Sequence, residues 1–294
     1  MFVIRNTVFL FIAISAYHFG LADDSRTDWK KSGWTPLFRG IDRATGEAEQ
    51  PRLMRVQVLR IDIKTEGVKF FSTPRAEDDF KFEATETIRE TVPQFLEKHK
   101  LQAALNANFY GPFDETTIKT PGTSNLLGLA VSQGQIVSPN QKGSPVFLVF
   151  KDNRAEIADV RQDTIDPPAD VETAVAGNRI LVDQGSVVSQ TDQAVHPRTA
   201  VGISQDGRYV YFLVIDGRQP NHSIGATYQE TGQWLVLFGS WKGLNLDGGG
   251  STTMAIQSEE GKAKVLNVPV GQGLPHTYRY NGNSIGVYAP SLVL

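Results

Sequence analysis

The sequence of 294 residues predicts an α+β fold, a single domain of mixed or antiparallel sheets packed with a few helices. Three observations predict it. Short alternations of apolar and polar residues recur along most of the chain, only two stretches carry helical spacing, and no repeat or low-complexity tract divides the sequence.

The N-terminal end reads as a targeting element. Arg5 supplies a positive start, Val8 to Ala16 form a short apolar run, and Gly20-Leu21-Ala22 offers small residues at a cleavage point. We therefore expect residues 1–22 to be a signal peptide, residues 23–52 an N-terminal extension and residues 53–294 the main domain. The expected location is secreted or periplasmic, with no stable membrane span after signal removal. Losing Arg5 takes the formal net charge from -3 to about -4, which argues against a nucleic-acid partner held by a basic surface. The chain has no cysteine, so disulfides and thiolate zinc sites are excluded.

Within the main domain, Val56 to Ile63 alternates apolar and polar residues and Gly67 to Phe71 follows a turn, predicting an antiparallel hairpin. Ala84 to Lys100 places Ile88, Val92, Phe95 and Leu96 at helical spacing, with Pro93 kinking the helix or starting its second part. Ala103 to Gly111 is an apolar strand that runs into amides and a glycine. Strands are expected again in Leu129 to Glu156, Arg179 to Val188, Thr199 to Ser204 and Tyr209 to Asp216, and a second helix in Ala226 to Phe238. Asp163 to Asp170, with Pro167-Pro168, is the one plausible linker. Leu244 to Met254 and Ser284 to Tyr288 read as closing strands.

The chemistry concentrates in Asn245-Leu246-Asp247-Gly248-Gly249-Gly250-Ser251-Thr252. Three successive glycines cost chain entropy, which suggests a turn of special conformation or a close backbone approach. Exposed N–H groups of Gly248, Gly249 and Gly250 would hold phosphate or oxyanion oxygens, with the Ser251 and Thr252 hydroxyls beside them, while Asp247 can act as nucleophile, base or ligand. A similar turn occurs in actin-like ATPases, but no second phosphate loop of that kind is present. The plainer reading is a tight hairpin.

Four carboxylates lie between His196 and Met254. Asp206 belongs to an Asp-Gly turn; Asp216 ends an apolar strand, as Asp247 does; Glu230 sits on the second helix, either facing solvent or buried and functional. Asp216, Glu230 and Asp247 are the candidate catalytic acids, since carboxylates converging on one sugar can divide acid, base and nucleophile roles. Arg198 can bind an anion bidentately or pair with one of those acids. Asn106 and Asn108, two apart on a strand, can bind sugar hydroxyls or cap the following loop. No GxSxG elbow occurs, and no HxH or HxxxH spacing suggests a histidine-held metal.

Taken in order, NANFYG from Asn106, HPRTAVGIS from His196, VIDGRQPNHSIGATYQE from Val214 and LNLDGGGSTTM from Leu244 resemble the phosphodiester glycosidase family. The resemblance extends more weakly over Leu53 to Tyr288, including GNRILVDQGSVV before Arg198 and RYNGNS from Arg279. It implies an α+β fold and an enzyme that cleaves a sugar from a phosphodiester at the anomeric carbon, releasing free sugar and a phosphate monoester. Under it, Arg198, with Arg218 or Arg279, would neutralise the phosphodiester and Asp247 or Glu230 would stabilise the cationic sugar or activate water. The chain departs from the family pattern in carrying Asn106-Ala107-Asn108-Phe109 for Asn-Gly-Gly-Phe, and Pro269-Val270-Gly271 for Pro-Ser-Asp.

The expected partner is a glycosyl-phosphodiester or an envelope or extracellular glycan. Other readings from the same residues are a non-catalytic glycan- or polymer-binding module and a metal-dependent phosphodiesterase with Asp216 and Asp247 as ligands. No cofactor is strictly implied, and a Ca²⁺ or Mg²⁺ ion is compatible with either enzymatic reading.

Overall fold

The computed structural model describes residues 28–76, 86–160 and 167–292. The signal-peptide segment and the first part of the predicted linker lie outside these residues. Strands dominate the described chain and two helices accompany them, α1 (Val92–His99) and α2 (Tyr228–Phe238). The α+β expectation thus holds in coarse form, with few helices and much sheet.

A nine-stranded antiparallel sheet forms the frame. Its centre runs from Met54–Asp62 through Tyr209–Ile215 and Arg198–Ile203 to Lys242–Asn245. Alternation decides what each face covers. Leu59, Phe212 and Val201 point into the main core, while Val58, Leu213 and Ala200 point into a second cluster under α2. Two five-stranded antiparallel sheets complete the main core. One supplies Phe147 and Val149, and the other supplies Leu105, Met254 and Ile285. On the far side of the second, Phe95 and Leu96 of α1 pack on Phe71, Ala104 and Ala255.

Both helices start at capping boxes. Thr91 accepts from the Gln94 amide and Thr227 from the Glu230 amide, and in each case the third helical side chain returns a bond to the cap. Pro93 therefore lies in the first turn of α1, where its missing N–H has no helical partner to lose.

The structure revises three sequence expectations. The strands flanking the turn at Lys64 do not pair with each other: Met54–Asp62 stays in the large sheet, whereas Lys69–Ser72 pairs with Ser284–Tyr288. The alternating pattern identifies strands but not their partners, and this turn hands the chain from one sheet to another. Residues 28–52 carry Lys30–Lys31, Thr35–Phe38 and Ile41–Ala48, all in the nine-stranded sheet, with Ile41, Ala44 and Ala48 buried. The chain between Ala155–Ala158 and Val171–Ala176 connects two strands of one sheet and so separates no domains.

The topology places the glycine turn at a sheet junction. Asp247 follows Lys242–Asn245 of the large sheet, and Met254–Gln257, just after the turn, belongs to the sheet that contains Ala103–Asn106. Arg198, at the start of its strand, and Asp216, just past the end of the neighbouring one, lie at this same edge.

Candidate active site

The glycine turn is held from below by neighbouring strand ends. The Leu246 amide donates to Thr199 O (2.9 Å), the Asp247 amide to Ala107 O (2.9 Å) and the Gly249 amide to Pro197 O (2.9 Å). Asn106 fastens both ends: its Nδ2 donates to Asp247 O, while its Oδ1 accepts from Thr253 N (3.2 Å) and Thr199 Oγ1 (2.9 Å). Thr199 Oγ1 also lies 3.3 Å from Thr252 Oγ1. Asn106 and Thr252 therefore act inside the protein, where they fix the turn's shape.

The glycines serve two close approaches. Gly249 adopts φ +63°, in the left-handed region, and a side chain there would meet the Arg218 guanidinium at 3.0 Å. A Cβ at Gly250 would fall 2.7 Å from Arg279 Cζ. The bare turn thus admits two arginines against its backbone. Their charges face the Asp247 carboxyl, and Arg279 Nη1 lies 3.4 Å from Ser251 Oγ.

Burial pushes the Asp247 carboxyl up to about 6, although the Ser251 hydroxyl, Arg279, the Gly248 amide and Arg218 all pull it back down. The nest expected from Gly248 to Gly250 is consequently used in part by the protein itself. The Gly248 amide serves Asp247, and the Gly249 amide serves Pro197. Arg218 is itself held in a left-handed conformation (φ +58°), and its Nη2 lies 3.4 Å from His196 Nδ1. Burial, then the charges of Arg198 and Arg218, lower the His196 pKa and favour the neutral imidazole.

Two further residues complete the cluster. Burial and then the negative charge of Asp247 raise the Tyr110 pKa, so its phenol stays protonated; it donates to Tyr280 O (2.7 Å). Phe113, 58% exposed, sits with its ring centroid 4.9 Å from Arg279 Cζ and edge-on to Tyr110 at 5.9 Å. Tyr110 was visible in the NANFYG motif but carried no role in the sequence reading. His196 was likewise visible in the HPRTAVGIS motif without a role, and Phe113 gave no signal of its own, because only the folded chain brings them to the arginines.

The other predicted residues are placed differently. Asp216 is buried, and its oxygens accept from Asn267 Nδ2 (3.0 Å) and Val268 N (2.9 Å) and meet His222 Nε2 (2.8 Å). Burial raises its pKa, against these partners. Asn267 also donates to Thr252 O (3.1 Å), so Asp216 touches the turn only through another side chain. Glu230 accepts from the Thr227 amide (2.8 Å) in the cap of α2 and pairs with Arg52. It has no bond to Asp247, Arg218 or Arg279.

Arg198 forms no ion pair with Asp216, Glu230 or Asp247. Its Nε and Nη2 donate to Ala226 O (2.8 Å) and Ala194 O (2.6 Å), and its guanidinium lies over the Tyr228 ring at 3.8 Å. Asn108 donates to the Leu127, Gly128 and Leu129 carbonyls and accepts from Ala176 N (3.1 Å) and Asn283 Nδ2 (2.9 Å). It caps the following loop. Among the described residues no three His, Asp or Glu side chains converge as metal ligands, and Asp216 and Asp247 stand apart in their bonding.

A largely buried carboxyl of raised pKa, two arginines against a glycine turn and a neighbouring aromatic thus meet at one edge of the sheet. The sequence profile of the phosphodiester glycosidase family matches residues 99–288, and the chain belongs to that family. The fold is similar to that of the zebrafish N-acetylglucosamine-1-phosphodiester alpha-N-acetylglucosaminidase catalytic domain auto-inhibited by its pro-peptide. That match has a TM-score of 0.61 and 17% identity, covering 89% of this chain and 88% of the other. A Burkholderia pseudomallei K96243 protein designated as exported matches with a TM-score of 0.60 and 14% identity, over 83% of this chain and 76% of that one. A Synechocystis protein described as hypothetical matches with a TM-score of 0.54 and 14% identity, over 87% and 64% respectively. No curated protein sequence matches significantly.

Proposed function

We propose that this chain is an exported hydrolase, secreted or periplasmic, that cleaves the glycosidic C–O bond of a sugar-1-phosphodiester. The observation that carries the proposal is the seating of Arg218 and Arg279 on Gly249 and Gly250, with the Asp247 carboxyl beside them. Two cations next to a carboxylate suit a substrate that is anionic at phosphorus and turns cationic at the anomeric carbon. Family membership supports the same reading. The export part rests on the sequence of residues 1–22; among the described residues no helix is long and apolar enough to cross a membrane.

In the proposed mechanism Arg218 and Arg279 hold the phosphodiester, with the Ser251 hydroxyl completing the contact to Asp247. A phosphate monoester is a good leaving group, so departure needs charge neutralisation more than a proton. Ionised Asp247 takes a proton from water as the water oxygen bonds to the anomeric carbon. The bond from that carbon to the phosphate oxygen breaks with its electron pair on phosphate, giving reducing sugar and phosphate monoester. Asp216, Glu230 and Arg198 support the site from behind, because their polar atoms are bonded within the protein.

Hydrolysis of a glycosyl-1-phosphodiester in oxygen-18 water tests the proposal. Label in the released sugar is the expected result. Label in the phosphate would place the cut at P–O and favour the phosphodiesterase reading, and absence of turnover together with saccharide binding would favour the binding module.

A further inference from the structure

Of the six large hydrophobic side chains exposed among the described residues, Phe113 lies against Arg279, and Leu274 and Tyr278 belong to the loop that leads into Arg279. Tyr280 N donates to Ile118 O (3.1 Å), joining the chain after Arg279 to the chain after Phe113. The 271–278 loop closes on itself through Gly271 N to Thr277 O (2.7 Å) and Gln272 Nε2 to Tyr278 O (3.2 Å), and packs Gly271 against the Arg279 backbone nitrogen. None of these three side chains belongs to a core cluster.

Arg279 is flanked, with Gly250 on one side and the Phe113 ring on another. Asp247, Arg279 and Phe113 thus follow one another across the surface. Resting on the reading above, this order puts the sugar at Asp247, the phosphate at the arginines and the departing alcohol against Phe113. We infer that the Phe113, Leu274 and Tyr278 rim is the subsite for that alcohol, and that the alcohol is an aliphatic one. Exposed apolar side chains beside a polar site mark a ligand surface. Phenylalanine and leucine replace none of the water bonds that a polyhydroxylated alcohol would lose there, whereas each methylene covered raises affinity roughly fourfold.

Three diesters of one sugar-1-phosphate test this, with methanol, octanol or a second hexose as the alcohol, used below the concentration at which the octyl diester self-associates. The expected result is a kcat/KM for the octyl diester at least tenfold above that for the methyl diester, expressed mainly in KM. Phe113→Ala and Leu274→Ser should each shrink that ratio towards one, with an unchanged Tm because both side chains are exposed. Equal values for octyl and methyl, or a preference for the hexose diester, would overturn the inference and leave the hydrolase reading standing. If the wild-type protein turns over none of the three, the hydrolase reading fails, and calorimetric binding of the intact diesters decides the subsite. Octyl tighter than methyl by tenfold, lost in Phe113→Ala, sustains it, and equal binding ends it.

Discussion

Asp216 and Asp247 stand at the same edge of the same sheet, each just after a buried strand, yet the protein treats them in opposite ways. Asp216 is enclosed by Asn267, the Val268 amide and His222, partners that belong to the scaffold. Asp247 has a hydroxyl and one amide of its own turn, and beyond them two arginines set on bare glycines. Burial raises the pKa of both. The difference lies in what surrounds the charge. A carboxylate whose lone pairs are filled from within the fold organises structure, whereas a buried one that faces two arginines is the candidate for chemistry.

The largest expected effect is at Asp247. Asp247→Asn should lower kcat/KM by about 10³-fold, since a positioned acid or base contributes roughly 10² to 10⁴. The same substitution should stabilise the fold near pH 8. A raised folded-state pKa, about 6 against 3.8, makes the protonated form the favoured one; that stability is complete below pH 3.8 and is lost as pH rises through about 6. Removing the charge should therefore gain about 1 to 3 kcal/mol at pH 8 and nothing at pH 3.5. Thermal melts at the two pH values check this. Equal Tm shifts at both would mean that burial does not strain the carboxyl.

Arg279→Gln should come next, with a loss of about 10²-fold in kcat/KM from the missing charge-assisted contact to phosphate. Arg279 also holds the Asp247 carboxyl down. The wild-type rate should fall as pH drops below about 6, where Asp247 gains its proton. In Arg279→Gln that acid limb should move to higher pH. A lower rate with an unmoved limb would separate Arg279 from Asp247.

Asp216→Asn should differ from Asp247→Asn in its effect on activity and not in the sign of its charge effect on stability, because burial raises the pKa of both. Relief of the buried charge should offset the replacement of the oxygen that meets His222 by an amide nitrogen, while the remaining oxygen still accepts from Asn267 and Val268, so the net change in stability at pH 8 should be small. Folded protein should keep kcat within a few-fold of wild type. A loss of activity as large as that in Asp247→Asn, at unchanged Tm, would put both carboxyls in the chemistry and break the comparison.

The glycine turn was legible because its composition is locally costly, and the order of motifs around it made the family legible. What the asparagines and arginines do was not. Asn106 and Asn108 are two apart on one chain segment, yet one bolts the Asp247 turn and the other caps the loop at Leu127. Arg198 and Arg218 are both arginines next to motif residues, but one is filled by two carbonyls and a tyrosine face while the other lies on a glycine. Such distinctions are made by residues tens of positions away. The hairpin expected at Lys64 failed for the same reason: period-two alternation marks a strand's buried face but says nothing about which strand lies beside it.

Glu230 provides the smallest and most discriminating test of how carboxylates are sorted. Its spacing from Thr227 fits a capping box, and in the fold it accepts the Thr227 amide and faces Arg52. Glu230→Gln keeps an acceptor for that amide and removes only the charge. Glu230 is buried but Arg52 keeps its side chain partly in solvent, so the expected cost is about 1 kcal/mol, seen as a small drop in Tm that shrinks further at high salt. Activity should change by less than about threefold, because the carboxylate shares no bond with Asp247 or the arginines on the glycine turn. A loss of reducing-sugar release comparable to that of Asp247→Asn would instead show that α2 delivers a second acid to the substrate. The division drawn between scaffold carboxylates and the one beside Arg218 and Arg279 would then have to be redrawn around Glu230.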